Sequence, residues 1–273
     1  MELGLAMKAE HGLSMRRACR LLGLSTSAPY YRPRRRDDTP VIEAVSKHVA
    51  DNPGHGFGLL YDSFRADQQP WGKTWLWRVY TQLKLNLPRR GKKRLPDRIA
   101  QPLDIPQRPN DTWSADFMSD ALWSGRRFRT FNVLDDCSRE ALRIEIDTSL
   151  PAARVIRALN ELIEVRGKPK RLRLDNGPEL VSHALAQWAR DNLIELCFIQ
   201  PGKPTQNALI ERFNRTMRTE VLDRYVFNTM SEVRRMLEDW RHRYNHQRPH
   251  SALGGVPPAQ FAMAHSTPPS TSD

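Results

Sequence analysis

Apolar residues along the chain follow two different periods, and the change between them falls near Asp111. Upstream, the spacing is helical. Ser14 is placed to cap a helix running to Leu22, Gly23 to end it, and Ser25 to cap the next. That is helix–turn–helix spacing, with Ala18, Leu21, Leu22 and Leu24 as a small apolar core. Pro29 falls inside the second helix and removes a backbone donor, so a plain helical hairpin is the competing reading. Val41–Ala50 then brings Ile42, Val45 and Val49 onto one face. After the turn-rich NPGHGFG, two further helices are expected at Leu59–Ala66 and Thr74–Leu83. Trp75, Trp77, Val79 and Tyr80 add a large apolar payload, which core packing mostly explains.

From Asp111 onward the period shortens towards two. Strands are predicted at Trp113–Met118, Arg127–Leu134 and Ala141–Ile146, with turns at Ser124–Gly125 and Asp136–Ser138. Pro151–Arg166 is an amphipathic helix burying Val155, Leu159 and Leu162. Next come a strand at Arg171–Leu174, a helix at Glu179–Asp191 and a fifth strand at Ile194–Ile199. Helices at Asn207–Leu222 and Glu232–Tyr244 complete the order β-β-β-α-β-α-β-α-α. The fold class this implies is α/β, a mixed five-stranded sheet with flanking helices, preceded by a small all-α region.

Charge separates the same parts. Residues 1–100 carry 19 basic against 9 acidic side chains, whereas residues 101–273 carry 24 against 22. The first third therefore has the electrostatic footprint of a polyanion binder, and DNA is the expected partner. Five regions follow: a helix–turn–helix-like segment (1–36), a helical DNA-binding region (40–87), a basic linker (88–105), the α/β core (106–265) and a disordered tail (266–273). Arg34, Arg35 and Arg36 close the first, and Lys92, Lys93 and Arg94 lie in the linker, placed to follow phosphates. Cys19, Cys137 and Cys197 are far apart and odd in number, which suggests free thiols in a reducing compartment. No apolar run reaches the ~18 residues of a membrane span, and no signal-peptide core opens the chain. A cytoplasmic, nucleoid-associated protein is expected.

Three acids stand out in the core. Asp116 interrupts the otherwise apolar strand WSADFM, where an aromatic or β-branched residue is expected. Asp175 ends a short strand and is followed by Asn-Gly; ligands collect at such strand ends. Glu211 lies on a helix whose stripe is read as Leu209, Phe213, Met217 and Val221. Two residues beyond Leu209 is about 200° round, so Glu211 points away from that stripe, with Arg215 and Arg218 on its own face. Phosphodiester chemistry needs a deprotonated water or hydroxyl and neutralised phosphate charge. Two hard divalent cations ~3.5–4 Å apart supply both, and a few carboxylates hold them. Taken singly, each acid also has an ordinary structural reading: an ion pair for Glu211, a turn for Asp175. His242, His246 and His250 repeat every fourth residue, but Pro249 interrupts the helix, favouring a structural or DNA-contact role over a metal face.

Fifty-eight residues separate Asp116 from Asp175, and thirty-five separate Asp175 from Glu211. With WSADFM, LDDCSR, LRLDNGPEL, QPGKPTQNALIERFNRTMRTEVLD and YNHQRPHSALGGVPPAQF, this spacing resembles the Asp-Asp-Glu transposase and retroviral-integrase superfamily. Within it, the chain is most similar to the second-reading-frame transposases of the bacterial insertion sequence three family. The likeness covers Pro106–Met263 closely and extends upstream to Gly54–Arg98. It departs at Pro178 and Leu180, where Ser and Phe are usual, and in PTQNA for the commoner PYDNA. Neither change touches the three acids.

The resemblance implies a ribonuclease-H-like fold, the style of sheet the element order suggests, and an integrase-type catalytic core at 106–265. It implies Asp116, Asp175 and Glu211 as catalytic residues and metal ligands, with two Mg²⁺ or Mn²⁺ ions as cofactors. Arg218 matches a basic position associated with gripping terminal DNA, and Asn207 matches the Asn-Ala that precedes the Glu. The implied function is metal-dependent strand cleavage and strand transfer at insertion-sequence ends. The implied partners are terminal inverted repeats, target DNA and further copies of the chain in the active complex; the resemblance also allows an upstream reading-frame product, either fused to the chain or paired with it. A cleavage-only nuclease and a non-catalytic DNA-binding regulator are the rival functions.

Overall fold

The structure is a computed structural model and describes residues 6, 9–10, 12–25, 27, 37–86, 106–177, 180–199 and 207–265. The chain divides into two compact units, Met1–Ile42 and Glu43–Asp273. In the first, helix α1 (Met15–Leu21) starts after Ser14 and is closed at Gly23, whose φ of +66° suits glycine. Its buried residues are Ala18 and Cys19, while Leu21 and Leu24 are 63% and 43% exposed. The expected four-residue core is thus corrected: one turn of a short helix buries one edge, and only Ala18 of that set lies on it. The second helix of the motif, with Arg34, Arg35 and Arg36, lies outside the described residues.

Helices α2 (Thr39–Asp51), α3 (Phe57–Ala66) and α4 (Lys73–Gln82) form where the apolar spacing places them. Leu60, Phe64, Leu76, Val79 and Tyr80 are buried. Trp77 stays 45% exposed, its ring set edge-on against Phe57 at 4.7 Å.

The core is a five-stranded sheet of order β3-β2-β1-β4-β5. Strands β1 (Thr112–Ala121), β2 (Arg127–Asp135) and β3 (Ala141–Asp147) are antiparallel neighbours; β4 (Arg171–Leu174) and β5 (Glu195–Phe198) run parallel to β1. Helices α5 (Ala152–Arg166) and α6 (His183–Asp191) cover one face with Val155, Leu159, Leu162, Leu185 and Trp188, packed on Trp113, Ala115, Phe131, Val133, Leu172 and Leu174. The helix expected from Glu179 begins at His183, because the Ser182 hydroxyl accepts from the Leu185 N–H and sets the cap there.

Helices α7 (Ala208–Met217) and α8 (Met230–His246) cover the other face, with Ile210, Phe213, Met217, Val233, Leu237, Trp240 and Tyr244 against Phe128, Leu134 and Ile146. A π-helical turn, Arg218–Leu222, continues α7. On that turn Glu220 accepts from Trp240 Nε1 at 2.9 Å and pairs with Arg248. The Arg248 guanidinium lies 3.1 Å from His55 Nε2, and His55 Nδ1 lies 3.2 Å from His48 Nε2 on α2. Gly54 leaves room for the joint: a Cβ there would sit 3.0 Å from Glu220 Cγ. Helix α9 (Pro258–His265), unanticipated by the apolar pattern, packs on α8.

The LDDCSR stretch closes the far end of the sheet. Asp135 Oδ1 accepts from the backbone of Cys137 and Ser138, while the wholly buried Asp136 pairs with Arg173 at 2.6 Å. Cys19, Cys137 and Cys197 are all free. Among the described residues, no helix is long and apolar enough to cross a membrane.

Candidate active site

The register of the sheet places the first two acids together. β1 and β4 pair only from Thr112↔Arg171 to Ala115↔Leu174. Asp116 and Asp175 each follow the last of these pairs, so they leave adjacent parallel strands at the same level. Asp116 faces Asn132 across β1–β2. Its Oδ1 accepts from the Phe117 N–H at 2.8 Å, and its Oδ2 from the Asn214 amide at 2.8 Å. Asn214 Oδ1 in turn accepts from Asn132 Nδ2 at 2.7 Å. Asn214 lies three residues after Glu211 on α7, one turn along the same helix edge. The helix edge that holds Asp116 therefore also presents Glu211, which is exposed to solvent.

Electrostatics confirm the approach. Burial pushes the Asp116 carboxyl up to about 6, against the pull of the Phe117 N–H. The charge of Asp175 pushes the same way; Asn214 opposes it, and Glu211 adds a smaller push. Asp175 Oδ1 accepts from the Gly177 N–H at 3.0 Å, and a Cβ on Gly177 would lie 3.0 Å from that oxygen, so a side chain there would push on the carboxylate. Asn176 fixes the other side, donating to the Ile199 carbonyl at 2.9 Å.

These are hard oxygen donors of one charge, the donor type suited to a hard divalent cation. Each Asp116 oxygen spends one lone pair on a donor and keeps capacity for more. As they stand, no three His, Cys, Asp or Glu side chains among the described residues are closed around one point. Asp175 and Glu211 are near enough for their charges to act on Asp116.

The other sequence-derived site residues are placed as follows. Arg215 is exposed on α7. Arg218 opens the π-helical turn, donates to the Ser119 carbonyl at 2.9 Å and pairs with Asp120 and Asp223 at 3.2 and 3.5 Å. Asn207 sits at the N-cap position of α7, 2% exposed, without a side-chain cap bond and with no partner for Oδ1. Lys92, Lys93 and Arg94 lie outside the described residues. His242 and His246 stack at 4.6 Å, whereas His250 packs edge-on under Tyr244.

Sequence reading misses Asn132 and Asn214. The stripe of α7 is Ile210, Phe213, Asn214, Met217 and Val221, with Leu209 only half-buried at its edge. A row of every fourth residue drifts off a 3.6-residue helix; the true stripe includes a polar member. The available signal was an asparagine at an i, i+3, i+4, i+7 core position, facing another asparagine in a strand, where that residue is depleted.

With this geometry in hand, comparison with known proteins is specific. The integrase core domain family matches residues 106–204 and again 192–258. A 39.2 kDa protein of insertion element IS476 from Xanthomonas euvesicatoria is 39% identical over 259 residues, covering 93% of this chain and 74% of that one. A 31.7 kDa protein of insertion element IS407 from Burkholderia multivorans is 38% identical, covering 95% and 94%. In fold, the chain is similar to a chain of the simian T-cell lymphotropic virus intasome in complex with the PP2A regulatory subunit B56 gamma. The TM-score is 0.53 at 17% identity, over 85% of this chain and 76% of that one.

Proposed function

The chain belongs to the integrase-core family of insertion-element transposases, and on that premise we propose that Asp116, Asp175 and Glu211 form its metal-dependent centre for cutting and joining DNA strands. One observation carries the reading: the middle of β1, the end of β4 and one helix bring three carboxylates close enough for the charges of Asp175 and Glu211 to raise Asp116, while Asn214, itself held by Asn132, bonds Asp116 in place. When bound by these oxygens, two Mg²⁺ or Mn²⁺ ions would favour deprotonation of the attacking hydroxyl and neutralise charge on the phosphate.

The side chains themselves do the positioning. Asn214 and the Phe117 N–H donate to the anionic form of Asp116 and fix its rotamer; the Gly177 N–H does the same for Asp175. Water attacks the phosphodiester at the transposon end, the phosphorus–oxygen bond on the far side breaks, and a 3′ hydroxyl leaves. That hydroxyl then attacks a second phosphodiester in line: a new phosphorus–oxygen bond joins the strands as the target strand's own bond to its 3′ oxygen breaks, and that oxygen leaves as a hydroxyl with the proton given up by the attacker. No protein nucleophile is needed, and none is present among the carboxylate neighbours described above. The segment at 1–36, the helical region at 40–87 and the linker at 88–105 recognise the terminal repeats, with Arg34, Arg35, Arg36, Lys92, Lys93 and Arg94 of the two basic ones on phosphates. Arg215 lies beside the DNA at the site; Arg218 keeps its hold on Ser119 and Asp120 and turns from Asp223 to grip the DNA end, while buried Asn207 stays behind them at the start of the helix. The active species is an oligomer of this chain assembled on DNA.

A nicking and strand-transfer assay on labelled transposon-end duplex, with Mg²⁺ or Mn²⁺ and with chelator, tests the proposal. Asp116→Asn, Asp175→Asn and Glu211→Gln are each expected to lose at least about a thousandfold in rate. Equal rates in wild type and Asp116→Asn overturn it.

A further inference from the structure

The β1–β2 ribbon outruns the other strands. Strand β4 ends opposite Ala115 and β3 opposite Arg129, the partner of Ser119, while β1 and β2 stay paired to Ala121↔Arg127. The ribbon therefore projects past the carboxylates on the side from which Asp175 leaves. Its tip is tightly built. Gly125, at φ +79°, donates to the Leu122 carbonyl at 2.8 Å, and the Leu122 N–H donates to Arg126 at 2.9 Å. Buried Leu122 and Phe128 root it in the core, the Trp123 N–H donates to the Phe227 carbonyl at 2.7 Å, and Arg218 holds Ser119 and Asp120.

This rigid tip presents chemistry that the fold does not use. Trp123 is 77% exposed, and Val226 beside its anchor is 63% exposed. Arg126 and Arg127 are exposed, and no ion pair or side-chain hydrogen bond among the described residues engages either one. The nearby acids Asp120 and Asp223 are both answered by Arg218, so the tip keeps a net positive charge.

We propose that this tip is a DNA-docking surface: Trp123 lies against the sugar or base face of a duplex while Arg126 and Arg127 take flanking phosphates. An exposed planar aromatic on the same turn as two exposed guanidiniums fits a nucleic acid, which offers π-faces beside backbone charge. It fits a second copy of this chain poorly, since a two-fold contact through the tip sets Arg126 and Arg127 against their own equivalents. The reach is defined too. Ala121, the last residue of β1, is five steps along the strand from Asp116, about 17 Å at ~3.3 Å each, or roughly five base pairs at ~3.4 Å. The contact, just beyond it on the turn, therefore falls about five or more base pairs from the phosphate at Asp116. This assignment rests on the reading that DNA is brought to Asp116.

The test uses the full chain and labelled end duplexes that extend either about twelve or about four base pairs beyond the cleavage phosphate on each side. On the long duplex, Trp123→Ala is expected to weaken binding about tenfold, with Trp123→Phe retaining most of the affinity. Arg126→Ala/Arg127→Ala is expected to lower the slope of log affinity against log salt by about two. On the short duplex all these proteins should bind alike. Wild-type affinity and salt slope in both variants on the long duplex overturn the proposal, even while Asp116→Asn still abolishes nicking. A changed oligomeric state of Trp123→Ala in sedimentation without DNA, with an unchanged salt slope, overturns it in favour of a self-interface. If wild type binds as expected but Asp116→Asn nicks normally, the catalytic reading fails and the docking surface stands.

Discussion

The two faces of the sheet are built on different principles. The face under α5 and α6 is dry: Trp113, Ala115, Phe131, Val133, Leu172 and Leu174 meet an aliphatic helix surface, and Trp188 satisfies its indole N–H at the margin on Asn160. The face under α7 and α8 has an equally apolar outer part, but Asn132, Asn214 and Asp116 run through it as a hydrogen-bonded line. Burying polar groups is costly unless they are partnered, and this line is partnered from the Asn132 amide N–H to Asp116, leaving only Asn132 Oδ1 without a hydrogen bond. The dry face supplies stability; the other gives up some apolar packing to aim one carboxylate.

The comparison can be broken most forcefully at its dry side. Trp113→Ala should cost about 3–5 kcal/mol of unfolding free energy in denaturant titration, because α5 and α6 cannot collapse into the cavity. A loss under 1 kcal/mol would mean that this face does not dominate stability. On the other side, Asn214→Leu keeps the volume but leaves the Asn132 amide and one Asp116 oxygen without their partner. The expected cost is about 1–3 kcal/mol, with strand cleavage falling further than stability alone explains. Unchanged cleavage would mean that Asp116 is aimed by something else. The finest distinction is acid sensitivity. His250, under Tyr244 on the polar side, is held down to about 3 by burial, with Arg248 and Arg139 opposing its protonation. Its folded pKa lies below the ordinary 6.5, so the unfolded chain takes the proton first. Stability is present in full above about 6.5 and is lost as pH falls towards 3, by up to about 1.4 kcal/mol per unit. His250→Phe should flatten that part of the curve by close to one proton. An unchanged slope would move the acid sensitivity elsewhere.

The dry face was legible and the polar one only in part, for the same reason. Alternation and helical spacing report where apolar side chains go, so all five strands and the burial of Val155, Leu159 and Leu162 followed from the pattern. Asp116 was visible as an acid in an apolar strand. Its supporting amides were not, because a polar residue at a core position is invisible to a search for apolar stripes. Leu209 was taken for Ile210 on the same account, and the π-helical turn after Met217 has no simple sequence signature. The closing helix α9 could have been anticipated from Pro258 at its first position, a residue whose missing N–H costs nothing there. In α1 the Ser14 and Gly23 boundaries held, while the burial of Leu21 and Leu24 did not, since seven residues make too few turns to enclose both.

The joint from His48 through His55 and Arg248 to Glu220 has a mechanical meaning. Oily contacts between helices slide under load, giving a little at every side chain. A string of directional bonds behaves like a brittle coupling, transmitting a displacement in full until it snaps. Glu220 stands on the turn that prolongs the helix of Glu211, so this coupling ties α2 to that helix.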